Sequence, residues 1–365
     1  MKDENAQALL AKVMGWDSDD TINYVPQLQL LADFKYDQYQ RFAPGKRFIE
    51  SLALWLNQFA KADRQTAFDF VLNELVFLSE QEIAHLVQTA YADHIIYERI
   101  RLISEENDIP QHCVAKIVRH DRFKELQIKS LYLGLSDGAR TNDLRRASDG
   151  EIGNEQIWQA YELGEEKAAD MKGALVDSLT KEEFSAEPGK FNLIWLIDDF
   201  SGSGNTYIRY EDGGFKGKIK KVYDQLHSSE LVDSSHYEVF LLLYVATRQA
   251  IDHIEYWAGL FTSEKGYKPL QVRVLCVIER SMSVTSQPNS KARPLLANEK
   301  YCDQTYVDKH FRVGGTDDVR FGFAGCALPV VLNHNTPNNS VFILWGPESS
   351  TFSGLFPRVS RHREV

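Results

Sequence analysis

Between residues 47 and 110, apolar side chains recur at intervals of three and four through "RFIESLALWLNQFAKA", "RQTAFDFVLNELVFL" and "SEQEIAHLVQTAYADHIIYERIRLI". That spacing gathers the apolar positions on one face of a helix and predicts three amphipathic helices. Ser79 followed by Glu82 predicts a capping box opening the third, each side chain bonding the other residue's backbone N–H. The periodicity changes at "LQIKSLYLGLSDGART" (126–141), where a β-rich apolar run ends in a Ser-Asp-Gly turn. From there apolar runs near 129–135, 192–198, 237–247, 271–280 and 341–346 read as strands, and helical patterns cover 154–176, 217–229 and 248–260. Apolar runs without alternation imply strands buried on both faces, hence a parallel sheet covered by helices. The expected architecture is a helical N-terminal module, residues 1–120, followed by an α/β domain with a parallel sheet core, residues 121–365. In such sheets ligands bind beyond the carboxyl ends of the strands, where "LSDGART" and "DDFSGSGNT" fall. Residues 281–320 hold little periodicity and read as a long functional or mobile loop.

The apolar fraction, 43% of 365 residues, is that of a globular protein with room for two domains. No stretch approaches the ~18–20 continuous apolar residues of a membrane span. The opening "MKDENAQALLAKVMGWDSDD" lacks the pattern of a secretory signal, so the chain reads as cytoplasmic, with no membrane association. Cys113, Cys276, Cys302 and Cys326 lie far apart with no His at finger-like intervals, which disfavours structural zinc and a disulfide framework. A net charge of −11 argues against broad adhesion to nucleic acid, leaving local basic patches at "GKIKKVY" (217–223) and the terminal "RVSRHREV". His112 and His120 have no acid or Cys at metal spacing and read as ordinary polar residues.

The chemistry concentrates in "NLIWLIDDFSGSGNTYIR" (192–209). A Gly- and Ser-rich loop after a strand presents several backbone N–H groups to one anion, because glycine allows left-handed angles and close approach. Ser203, Gly204, Asn205 and Thr206 are the candidates for holding a phosphate, with the hydroxyls of Ser203 and Thr206 as added donors. Asp198 and Asp199 before the loop suit vicinal ribose hydroxyls, or a Mg²⁺ ion bridging hydroxyls and pyrophosphate. Acids ending a strand also cap turns, which is the plain alternative. "FSGSG" is not a nucleophile elbow, which needs Gly two residues before the serine, and "GSGNT" lacks the lysine of a P-loop.

"LIWLIDDFSGSGNT" resembles the phosphoribosyl pyrophosphate signature of type I phosphoribosyltransferases: apolar residues, two acids, a short spacer, then a Ser-Gly pair and a Thr. The resemblance implies a phosphoribosyltransferase-like α/β fold, Asp198 and Asp199 as catalytic residues at the ribose hydroxyls, and Ser203 to Thr206 around the 5-phosphate. It also implies Mg²⁺ held through the ligand by those acids, and a pyrophosphate loop at Ser136, Asp137, Gly138 and Arg140. Arg145 and Arg146 read equally as a solvated helix face. The wider order is similar to a branch of phosphoribosyltransferase-like proteins of bacterial conflict and anti-phage loci, including retron-type systems, in which an "HNTPNN" segment precedes a late strand. Here that segment is "NHNTPNNSVFILWG" (333–346), making His334, Asn335, Asn338 and Asn339, near Trp345, candidates for recognising a base or substrate, with a simple turn as the alternative. The branch implies a toxic effector restrained by a protein partner on its N-terminal helices, for example a reverse transcriptase or another component of the locus.

The chain departs from the signature in three places. Purine-type enzymes place an acid where this sequence has Gly202; "YEDGGFKG" (210–217) separates the loop from the helix expected to aim its positive end at the phosphate; and the catalytic loop falls in the short, acidic "DSLTKEEFSAEPGK" (177–190), with Lys181 and Lys190 its cations. The expected ligand is a nucleotide or phosphoribosyl pyrophosphate, and the reaction is ribosyl transfer or N-glycosidic cleavage. The alternatives are a catalytically inactive nucleotide sensor of the same fold and an interaction scaffold with a decayed pocket.

Overall fold

The computed structural model describes residues 2–40, 47–162, 164–186, 189–287 and 290–358. The chain separates into two compact units, Met1–Ile83 with Glu279–Val365, and Ala84–Ile278. Residues 84–120 thus fall in the unit that holds the main sheet, and 279–365 in the unit of the N-terminal helices. Nine strands occur among the described residues: β1 (Val76–Leu78), β2 (Ser130–Gly134), β3 (Ile157–Gln159), β4 (Leu193–Ser201), β5 (Arg209–Glu211), β6 (Gly214–Lys216), β7 (Glu238–Thr247), β8 (Leu270–Ile278) and β9 (Val330–Leu332).

In the second unit, five strands form an all-parallel sheet in the order β3-β2-β4-β7-β8. Its register sets Ser130 beside Leu193 and Leu193 beside Glu238, which brings the carboxyl ends of β2, β4 and β7 to one edge. Alternate side chains go to opposite faces. Leu131, Leu133, Ile194, Leu196, Leu241 and Leu243 pack with apolar residues of the helices Glu165–Lys181, Lys218–Ser228 and Arg248–Lys265. On the other face Trp195 stacks on Phe240, with ring centroids 4.3 Å apart. There the helix Tyr97–Asn107 buries Glu98, which accepts from Arg273 of β8 at 2.6 Å and from Arg101 at 2.6 Å. Burial on both faces explains the unbroken apolar runs of β4 and β7.

Several elements differ from the sequence reading. The helix expected over 154–176 begins only at Glu165, because Ile157–Gln159 adds an edge strand beside β2. Gly153 and Gly164 isolate this β-branched and aromatic stretch from the helix, and Gln156 Nε2 ties it down by donating to Gln127 O at 2.7 Å and Ser130 O at 2.9 Å. The strand expected at 341–346 is a helical turn, Phe342–Trp345, in the first unit. A five-residue apolar run, Val341 to Trp345, bounded by Ser340 and Gly-Pro carries no period that separates strand from buried helix.

The first unit packs the helices Asp3–Met14, Ser18–Phe34, Phe48–Asn57 and Arg64–Asn73 with parallel strands β1 and β9. "VFL", expected to end a helix, is β1. The capping box forms: Ser79 N–H donates to Glu82 Oε2 at 2.8 Å and Glu82 N–H to Ser79 Oγ at 3.2 Å. Residues 281–320 are not a long loop. Among the described residues they carry the helices Ala292–Leu296 and Lys309–Arg312, and they bury Val284, Leu295, Tyr301 and Val319 in the core. No helix among the described residues is long and apolar enough to cross a membrane. The basic "RVSRHREV" lies outside the described residues except for Arg358.

Candidate functional site

Two loops meet at the carboxyl edge of the sheet, one leaving β2 and one leaving β4. Ser136 caps the turn Asp137–Ala139: its hydroxyl oxygen accepts from Gly138 N–H at 3.2 Å, and the same hydroxyl donates to Asp198 Oδ1 on the neighbouring strand. Gly138 faces the second acid so closely that a Cβ there would stand 2.5 Å from Asp199 Oδ2 and would oblige that carboxylate to shift. Arg140 follows in the left-handed region, at φ 48°, and opens the helix Thr141–Ala147; its guanidinium is 3.7 Å from the Asp143 carboxylate. Asp137 Oδ1 accepts from Tyr161 OH at 3.4 Å. The structure therefore brings Ser136, Asp137, Gly138 and Arg140 to the end of the sheet that carries Asp198 and Asp199.

Asp198 is buried and each of its oxygens takes two hydrogen bonds. Oδ1 accepts from Ser136 OH and, at 3.1 Å, from Asp199 N–H. Oδ2 accepts from Tyr207 OH at 2.7 Å and from the Lys218 ammonium at 3.0 Å. Burial pushes this carboxyl above the usual carboxylate range, against the opposing pull of Lys218; Asp199 adds to the rise. Burial, followed by the neighbouring Asp198, raises the Tyr207 hydroxyl well above its ordinary value. Asp199, also buried, accepts from Phe200 N–H at 2.9 Å.

The loop after β4 is clamped from below by the helix Arg248–Lys265. Thr247 caps that helix by accepting from Ala250 N–H at 3.0 Å, and its hydroxyl donates to Gly202 O at 2.6 Å. Gly204 has φ +81°, and a Cβ there would stand 2.9 Å from Ala250 O and from the His253 ring. Ser203 is buried and its Oγ accepts from Asn205 N–H at 3.4 Å, while Thr206 is exposed. The interrupting "YEDGGFKG" is a β-hairpin of β5 and β6 that returns the chain to its starting point: Lys218 N–H donates to Thr206 O at 3.2 Å and Ile219 N–H to Tyr207 O at 2.9 Å. The following helix, expected to start too late, begins beside the loop after all.

Two other segments were expected to contribute. The segment 177–190 ends the helix Glu165–Lys181 and then runs into the amino end of β4, where Asn192 N–H donates to Lys129 O at 2.9 Å; Glu187 and Pro188 lie outside the described residues. That is the opposite edge of the sheet from Asp198, so this segment does not supply a loop over the site. His334, Asn335, Asn338 and Asn339 belong to the first unit, in the turns after β9. Asn335 Oδ1 accepts from Thr336 N–H at 3.0 Å, and buried Asn339 Nδ2 donates to Phe323 O at 3.2 Å. Trp345 is buried against Phe342, with ring centroids 4.8 Å apart, and is a core residue rather than a stacking surface.

The sequence reading missed Tyr207, Lys218 and Thr247 as parts of the site. Lys218 was visible only as one cation of "GKIKKVY". A model of the family described as PRTase-CE matches residues 52–358. No curated protein and no solved structure matches the chain.

Proposed function

The chain belongs to the PRTase-CE family, a phosphoribosyltransferase-like family, and from that premise we propose that it binds a nucleotide or phosphoribosyl pyrophosphate at the carboxyl edge of its sheet and acts at the ribose C1 position. The observation that carries the reading is the junction of the two loops: Ser136 bonded to Asp198, and Gly138 against Asp199. It sets a pyrophosphate-type turn beside an acid pair and a phosphate-type loop at one sheet edge, the arrangement a ribose 5-phosphate carrying a C1 leaving group requires. Ser203 to Thr206 hold the 5-phosphate, the acid pair serves the sugar, and Ser136 to Arg140 serve the leaving group. The reaction is ribosyl transfer or N-glycosidic cleavage, whose oxocarbenium-like transition state needs alignment and charge complementarity more than a nucleophile.

Mg²⁺ enters this reading as the companion of the ligand's pyrophosphate. Among the described residues no group of three or more His, Cys, Asp or Glu is placed to hold a metal ion, and each oxygen of Asp198 already accepts two hydrogen bonds. The biological role we propose is a toxic effector of an anti-phage system, depleting a host nucleotide and restrained by a protein partner on the N-terminal helices. A nucleotide sensor without turnover is the second reading, favoured by the position of 182–186 and 189–190 at the far edge of the sheet.

Calorimetric titration with phosphoribosyl pyrophosphate and Mg²⁺, followed by chromatography of nucleotides incubated with the protein, tests both. Saturable binding with release of free base or pyrophosphate supports the enzyme, and binding without turnover of any nucleotide supports the sensor. Absence of binding to every phosphorylated ribose compound refutes the reading of the site.

A further inference from the structure

Lys218 belongs to neither loop of the proposed site, yet its ammonium lies 3.0 Å from Asp198 Oδ2 and 5.2 Å from the centre of the Tyr207 ring. Its side chain is 31% exposed, while the Asp198 side chain beneath it is 3% exposed. Asp198 takes one of three ammonium protons, which leaves two for the open side. The backbone that carries Lys218 is fixed. Gly217, at φ +124°, lies so close to Tyr207 that a Cβ would stand 2.4 Å from its carbonyl oxygen, and Lys218 N–H bonds Thr206 O. The hairpin's return thus fixes the Lys218 backbone at the end of the 203–206 loop, and from there the side chain reaches Asp198, the acid five residues before Ser203. That loop contains no cation of its own, and a phosphate dianion placed there stands next to two carboxylates. A fixed positive charge is what such an anion requires.

We propose that Lys218 is the phosphate-binding cation of this site and that Asp198 is its positioning residue, with Tyr207 and Ser136 completing the cradle. The ligand class is a phosphate monoester on ribose, and the proposal rests on the reading of the site given above. It divides the work of the acid pair: both oxygens of Asp198 are engaged in holding protein donors, Lys218 among them.

The test is calorimetric titration of phosphoribosyl pyrophosphate with Mg²⁺ at low and high KCl, using wild type, Lys218→Gln, Lys218→Arg and the Asp198→Asn/Lys218→Gln double variant, each shown to be folded by circular dichroism. Lys218→Gln is expected to weaken binding about tenfold and to flatten its salt dependence, and Lys218→Arg to stay within about threefold of wild type. The double variant is expected to show no further change in salt dependence beyond Lys218→Gln, since the positioning acid has no cation left to position; a salt dependence flattened further by the added Asp198→Asn would overturn the proposal. Wild-type affinity and salt dependence in Lys218→Gln would overturn the proposal while leaving the site's reading intact; a wild type that binds nothing overturns both. On the wild-type protein, saturating phosphoribosyl pyrophosphate with Mg²⁺ should protect Lys218 from an amine-acylating reagent, as read by peptide mass spectrometry. Labelling unchanged by ligand also overturns the proposal.

Discussion

Replacing Gly204 by alanine separates two costs that the phosphate-type loop imposes on its backbone. At φ +81° an L-residue is in the left-handed region, which costs roughly 1–2 kcal/mol. The new Cβ would also meet Ala250 O at 2.9 Å, His253 Cδ2 at 2.9 Å and Ile254 Cγ1 at 3.1 Å. Ala250 O is helix backbone and does not yield as a flexible side chain does, so overpacking adds about 1–3 kcal/mol. The sum is about 2–5 kcal/mol. Gly213 provides the control, because at φ +78° it carries the same conformational cost and a Cβ there meets nothing within 4 Å. Gly213→Ala should therefore lose only about 1–2 kcal/mol. Urea unfolding of both variants, followed by far-ultraviolet circular dichroism with the denaturant slope compared to wild type, gives the two losses directly. A Gly204→Ala loss equal to or below that of Gly213→Ala would refute the claim that the loop is pressed onto the helix.

Three further outcomes follow from individual contacts. Trp55→Phe removes the indole N–H that donates to Ile343 O at 2.9 Å in the first unit's core; Leu355 N–H still bonds that carbonyl, so the loss in urea unfolding should be roughly 1–3 kcal/mol. Glu98→Gln removes the buried carboxylate shared by Arg101 and Arg273, but Arg101 keeps Glu105 and Glu238, Arg273 keeps Gln271, and the two side chains are 21% and 28% exposed, so the loss should be about 1–3 kcal/mol by the same assay. For His253, burial lowers the imidazole's proton affinity against the opposing bond to Ile208 O, so its contribution to stability is full above the unfolded value of about 6.5 and is lost as pH falls through the lower folded value. Comparing wild type with His253→Gln between about pH 7 and 5 should show the variant losing less stability on acidification; parallel curves would refute the assignment.

The parallel sheet was legible because β2, β4 and β7 are buried on both faces and leave apolar runs between helical patterns, while the edge strand β8, half-buried, still carries the apolar-rich "LQVRVLCVI". Where the signal was short, the reading failed. Ile157–Gln159 has three residues, and its strand character comes from pairing with Tyr132 to Gly134, a partner distant in sequence. Phe342–Trp345 is apolar in every position and carries no period at all. The grouping of 279–365 with the N-terminal helices rests on side chains such as Val284, Leu295 and Phe342 sharing one core with Trp55 and Phe68, which no local pattern encodes.

For the site, adjacency in sequence was the wrong measure in one instructive place. Counting residues from Thr206 puts the next helix eleven positions away, too far for its first turn to matter. The signal that corrects the count is "EDGG": Asp212 and Gly213, at φ 53° and 78°, make the two-residue turn that an Asp-Gly pair favours, and Tyr210 pairs with Phe215 across it. A hairpin adds length to the chain but almost none to the distance between its ends, so Lys218 N–H reaches Thr206 O as though the insertion were absent. The insertion also fixes which residue follows the return. Gly217 admits no side chain against the Tyr207 carbonyl, and the residue after it is the lysine that meets Asp198. An acid pair read from sequence as two equivalent carboxylates thereby becomes two different ones, distinguished by an ammonium that arrives from twenty residues further along the chain.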